Sequence, residues 1–164
     1  MVVVAIAGIL VLILSDTYTR WSTRYKVESA IRNVHARMME ARTRSIARGR
    51  THFVRVAAAN CQVVEDTSPA PNGNGTLESG DEAVASEDLA VDHGFRAGAS
   101  FRLFMDGSAD NTLTINRDGT MDAAGNSYLR LETNMDADRD CIDISGTRLR
   151  LGKYNASTQV CNPR

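Results

Sequence analysis

Residues 1–50 read MVVVAIAGILVLILSDTYTRWSTRYKVESAIRNVHARMMEARTRSIARGR, and this stretch decides the fold. From Ser15 to Arg48 there is neither Pro nor Gly, and Gly8 is the only Gly before Gly49. Val27, Ala30, Ile31, Val34, Met38 and Ala41 fall on one side of a 3.6-residue period. Gly49 suits the position just past a helix end, and the basic residues before it suit the negative end of the helix dipole. The pattern predicts one helix of about 48 residues, roughly 70 Å long. That exceeds the diameter of a globular domain this chain can form. Its first part must therefore project into a membrane or into other subunits, while Val27, Ile31, Val34 and Met38 pack on the rest of the chain. A coiled coil is disfavoured, because the stripe is not a sustained heptad with paired charges beside it.

The first fourteen residues carry no polar side chain. Val2, Val3, Val4, Ile6, Ile9, Leu10, Leu12, Ile13 and Leu14 are the candidate membrane and assembly residues. As a helix the run spans roughly 21 Å, short of the ~30 Å hydrocarbon core of a bilayer. A cleaved secretory signal would need a positive segment ahead of the apolar run, and a core helix would not be apolar on every face. Charge divides along the same line. The net of −1 is a cancellation: residues 15–50 hold nine Lys/Arg against three Asp/Glu, and residues 51–164 hold ten against seventeen. A basic rod of +6 thus meets an acidic remainder of −7, a complementarity that sets register and partner choice more than affinity.

After Gly49 the period shortens. THFVRVAAA, QVV, SFRLFM, TLTINRDGT, SYLRLET, CIDIS and RLRLGKY are short runs divided by Gly, Asn, Asp and Pro, several of them alternating apolar with polar. They predict an antiparallel sheet, with Leu149 and Leu151 facing one way and Arg148 and Arg150 the other. Ser145-Gly146-Thr147 and Asp118-Gly119 are the expected turns. The fold class is α+β: a long N-terminal helix, residues 1–50, packed on a C-terminal antiparallel head, residues 51–164. Residues 66–86, DTSPAPNGNGTLESGDEAVAS, hold two of the three prolines and are expected to form a long, mobile surface loop. Of the three cysteines, Cys141 and Cys161 are spaced so that a disulfide can close a loop of about 20 residues, worth roughly 3 kcal/mol. An oxidising compartment fits that bond. Three reduced thiols are the alternative, and Cys61 is left over in or beside a strand.

An all-apolar start, a long amphipathic helix and a β-rich head with late cysteines follow one another in the order of type IV pilins and type II secretion pseudopilins. The chain resembles minor subunits of the GspH/FimT type. ARMMEARTRSIARGRTHFVRV, TINRDGT and CIDISGTRLRLGKY are the phrases that carry the finer likeness. The resemblance implies a structural subunit, not an enzyme, held in the inner membrane as a single-pass protein with its head in the periplasm. It further implies assembly with other pilin or pseudopilin subunits into a periplasmic pseudopilus or an extracellular pilus. No small-molecule substrate and no cofactor are expected. Such proteins begin with a basic leader cut after Gly, followed by an N-methylated Phe and a nearby Glu. None of these precedes MVVVAI here, so Met1 is expected to coincide with an internal Met. Six further residues would bring the apolar run to about 20, the length a bilayer requires.

Two sharper expectations stand beside this one. FimT-type members bind DNA through a basic C-terminal hairpin, which makes Arg148, Arg150 and Lys153 the DNA-binding candidates for natural transformation. Three cations would give weak, salt-sensitive binding. Asn134, Asp136, Asp138 and Asp140 place oxygens at every second position, as calcium loops do, though Arg139 and Ser145 depart from the EF-hand pattern. A solvated acidic loop is the simpler account. No spacing among His35, His52 and His93 suggests a metal site, and no nucleophile elbow, P-loop or CxxC is present. Asn74 and Asn155 head short sequons of a kind common by chance.

Overall fold

The computed structural model describes residues 2–57, 60–70, 73–88, 102–106, 111–123, 127–132 and 137–164. Helix α1, Val2–Arg48, is the one long helix that the composition of residues 1–50 predicts. Its end is set by Gly49, which takes the left-handed conformation at φ 63. The Arg50 N–H then donates back to the Ser45 carbonyl at 3.3 Å, the six-to-one bond that satisfies a last-turn carbonyl.

Among the described residues nine strands follow: β1 His52–Ala57, β2 Asn60–Glu65, β3 Glu82–Asp88, β4 Arg102–Asp106, β5 Thr112–Ile115, β6 Ser127–Glu132, β7 Cys141–Ser145, β8 Arg148–Asn155 and β9 Val160–Pro163. They form two antiparallel sheets, in the orders β3-β2-β1-β5 and β4-β6-β7-β8-β9. Helix α1 lies against strands of both, namely β1, β2, β5, β7 and β8. A Met121 N–H to Gly146 carbonyl bond of 2.8 Å joins the turn after β5 to the turn between β7 and β8, linking the sheets.

The core sits where the helix stripe meets the inner faces of the sheets. Val27, Ala30, Ile31, Val34, Met38 and Ala41 are buried with Val54, Val56, Val63, Leu113, Ile115, Leu129, Leu131, Ile142 and Ile144. Each fully buried aliphatic side chain contributes about 1.5–3 kcal/mol, so the stripe alone fixes the second half of α1 on the head.

Two strands differ from the sequence expectation. Of the stretch expected to be loop at 66–86, the described residues up to 81 are loop, and Glu82–Asp88 is β3. Residues 160–163, which lie beyond the last of the predicted runs, form β9 against β8. Both are edge strands rich in residues with poor strand propensity: Glu, Ala, Ser and Asp in β3, and a terminal Asn-Pro in β9. Their hydrogen bonds come from a neighbour already in place, and acidic side chains on β3 discourage further pairing.

Candidate assembly surface and basic hairpin

The stripe residues Val27, Ile31, Val34 and Met38 are fully buried on the head. The opposite face of α1 is open. Tyr18, Trp21 and Tyr25 are 68%, 57% and 58% exposed, all three lying ahead of the first core residue, Val27. Of Val2, Val3, Val4, Ile6, Ile9, Leu10, Leu12, Ile13 and Leu14 the backbone is helical, and their side chains lie outside what the structure describes. Among the described residues, no helix is long and apolar enough to cross a membrane.

Much of the basic charge on α1 is already matched within the molecule. Glu28 pairs with Arg24 and Arg32, and Glu40 pairs with Arg37 at 3.3 Å and Arg44 at 2.7 Å. Hydrogen bonding and charge from Arg44 and Arg37 hold the Glu40 carboxyl below its ordinary range against slight burial. Arg24 also ion-pairs with Asp138, and Glu28 accepts the Asp138 N–H at 3.3 Å, so the turn before β7 is tied to the helix. At the helix end the buried Glu65, last residue of β2, receives both Arg48 and, at 2.9 Å, Arg50. Burial alone would raise its pKa, but the Arg50 hydrogen bond and the Arg48 charge outweigh it and lower it. His52 is buried beside this group, with Nδ1 donating to the Arg50 carbonyl at 3.2 Å and Nε2 3.9 Å from Glu65. Its pKa is lowered, chiefly by burial. Sequence reasoning missed this junction; the one signal for it is a Glu directly after the apolar pair Val63-Val64.

The far sheet is closed differently. Cys141 on β7 and Cys161 on β9 form a disulfide across β8, with Cα atoms 6.0 Å apart. Gly152 lies between them on β8, where a Cβ would come within 2.8 Å of Cys161 Sγ and 2.5 Å of the Asn162 carbonyl oxygen. Tyr128 and Tyr154 pack beside the bridge with ring centroids 5.5 Å apart, and the Arg130 guanidinium sits 4.5 Å over the Tyr154 ring. Cys61 is buried on β2, outside the bridge. Gly146 and Thr147 make the two-residue turn that pairs Ser145 with Arg148, and alternation follows: Leu149 and Leu151 pack on the core while Arg148 and Arg150 are exposed. Lys153 is half-buried. Arg150 also borders an open groove of about 530 Å³ with His35, Arg139 and Arg164. A larger groove, about 980 Å³, lies over the first sheet beside Arg55, Gln62, Thr112 and Thr114.

The fold of this chain is similar to that of a solved structure. The type IV minor pilin FimU of Pseudomonas aeruginosa aligns over 81% of this chain and 92% of its own, with a TM-score of 0.56 and 20% sequence identity. The fold is that of a type IV pilin. No protein-family model matches the chain, and no curated protein matches it by sequence.

Within this pilin fold the remaining candidates separate. Asp138 is engaged by Arg24, and Asp140 accepts the Tyr154 N–H at 2.6 Å. Asn134 and Asp136 lie outside the described residues, as does His93. Among the described residues no group of three or more His, Cys, Asp or Glu is placed to hold a metal ion. His35 contacts the Leu149 carbonyl through Nε2 at 3.3 Å, a link between helix and hairpin.

Proposed function

We propose that the chain is a structural subunit, a minor pilin or pseudopilin. In this reading it is held in the inner membrane by the first part of α1 and assembled through that helix into a type IV pilus or a type II secretion pseudopilus. The observation that carries the reading is the length of α1 against the extent of its cover. The helix has 47 residues, and its buried positions among the described side chains run from Val27 to Ser45. The first half is therefore available to a membrane before assembly and to other subunits afterwards. The head then stands on the periplasmic side. Expressed with its companion pilin-type subunits, the full chain should sediment with membranes and appear in filaments sheared from the cell or released from the envelope. Recovery only as an unassembled soluble protein removes the proposal.

A second reading, a DNA-binding pilin for natural transformation, is favoured by one observation: Arg148 and Arg150 are exposed on the outward face of β8. The net charge of residues 51–164 opposes it. In a gel shift, full chain in detergent should retard duplex DNA only if this reading holds, and Arg148→Ala/Arg150→Ala should then abolish the shift.

A further inference from the structure

The chain contains one Trp and four Tyr, and three of these five lie within eight residues, at Tyr18, Trp21 and Tyr25. Spacings of three and four put them on one helix face. At 3.6 residues per turn that face lies roughly 140° round from the buried stripe of Val27, Ile31, Val34 and Met38. All three are more than half exposed, and the Trp21 and Tyr25 rings meet edge to face at 4.5 Å. The cluster begins four residues after the last residue of the apolar run and ends two residues before the first core residue.

We propose that Tyr18, Trp21 and Tyr25 form an anchor in the phospholipid headgroup layer, fixing the depth at which α1 leaves the membrane. This rests on the membrane-held reading above and adds a site to it. Position supports the assignment: the three Cα atoms stand roughly 6, 10 and 16 Å beyond Leu14, and helical side chains lean back toward the N-terminus, bringing the rings nearer the apolar run. Composition supports it as well. A contact with another helix could use Leu or Ile, whereas every member of this cluster joins an apolar ring to a polar handle, which suits a boundary between hydrocarbon and water. The cluster stops where the head begins to cover the helix, which is the height the bilayer surface must have if the head remains outside. Arg20 and Lys26 lie in the same segment against Asp16, a positive balance that suits anionic headgroups.

Trp21 is the only Trp, so its emission reports on this site alone. The full chain is reconstituted into vesicles of phosphatidylethanolamine and phosphatidylglycerol carrying bromine at shallow or deep acyl positions. The expected result is a blue-shifted emission, quenched more by shallow than by deep bromine. Tyr18→Ala/Tyr25→Ala should reduce that shift while leaving the unfolding temperature of the head unchanged. A chain that floats with the vesicles while Trp21 emits as a water-exposed indole overturns the anchor and leaves membrane attachment standing. A chain that does not float overturns both. A blue shift that appears without lipid and vanishes on dilution overturns the anchor in favour of a contact between copies.

Discussion

The two sheets of the head solve one problem with different chemistry. Each must hold an edge strand that has little apolar surface of its own. On the β3 side the closure is ionic and hydrogen-bonded. The buried Asp66 accepts the N–H groups of Asn74 and Gly75 at 3.2 and 2.7 Å. Asp81 accepts those of Thr67 and Ser68 at 3.0 Å and that of Glu78 at 2.7 Å. Glu65 binds the two arginines at the helix end, just before this loop begins. On the β9 side the closure is covalent, through Cys141–Cys161, with Gly152 making room for it. The first sheet should answer to protons and to loss of carboxylates, and the second to reductant.

The largest effect is expected from the covalent side. Cys141→Ser/Cys161→Ser should cost about 3 kcal/mol by loss of a constraint on the unfolded chain, and urea unfolding of the oxidised wild type and the variant checks it. Reduction of the wild type should reproduce the loss. A variant as stable as the oxidised protein would mean that β9 is held by its ladder alone. Gly73→Ala tests the other sheet. Gly73 takes φ 71, and an added Cβ would come within 1.8 Å of Asp66 Oδ1. The substitution forces a left-handed Ala and breaks the carboxylate's grip on the loop, at about 1–3 kcal/mol. Proteolysis within residues 66–81 should become faster in this variant and stay unchanged in the cysteine pair.

How much of this was legible follows the same division. The helix, its stripe and the hairpin around Gly146 could be read because each rests on a local period: 3.6 along α1, and 2 along CIDIS and RLRLGKY. Cys141 and Cys161 could be matched by spacing. The carboxylate closure could not, because an Asp in a loop rich in Gly, Pro and Asn looks alike whether it caps a neighbour's N–H or faces water. β3 was hidden for a related reason: EAVASED has weak strand propensity, and its pairing is supplied by β2. At the surface the basic character of α1 could be counted from the sequence, but the individual ion pairs could not. Glu28, Glu40, Glu65 and Asp138 take up five of its arginines, and Arg50 just past its end, before any partner arrives. Raising the salt should therefore weaken subunit association only modestly.

A smaller effect separates the sheets by pH. Burial lowers the His52 pKa in the folded state, so the unfolded chain takes up that proton first as pH falls. The stabilisation is complete above about pH 6.5, the ordinary histidine value, and is lost as pH drops through the folded pKa. Glu65 adds a second loss in the same direction below its ordinary value of 4.5, since its folded pKa is also lowered. Thermal unfolding followed from pH 8 to pH 4 should show the first decline in the wild type and lose it in His52→Leu. The cysteine variant should keep the same pH profile at a lower overall stability. A His52→Leu protein with an unchanged profile would assign the decline to other groups.

The smallest effect belongs to the helix surface, and it tests whether pairing on α1 is structural at all. Glu40 joins Arg37 and Arg44 on the solvent side, with roughly two-fifths of each side chain exposed. Exposed pairs of this kind contribute about 0.3–0.5 kcal/mol each, so Glu40→Ala should cost under about 1 kcal/mol in an unfolding titration and less in high salt. Glu65→Gln makes the contrasting measurement. Its carboxylate is buried while Arg48 and Arg50 remain partly in water, so leaving them unmatched should cost about 1–2 kcal/mol and respond little to salt. Equal costs for the two substitutions would mean that the helix end is held by Gly49 and the apolar stripe, with Glu65 tolerated there. A larger, salt-insensitive cost at Glu65 would make it the residue that fixes the angle at which the head leaves the rod.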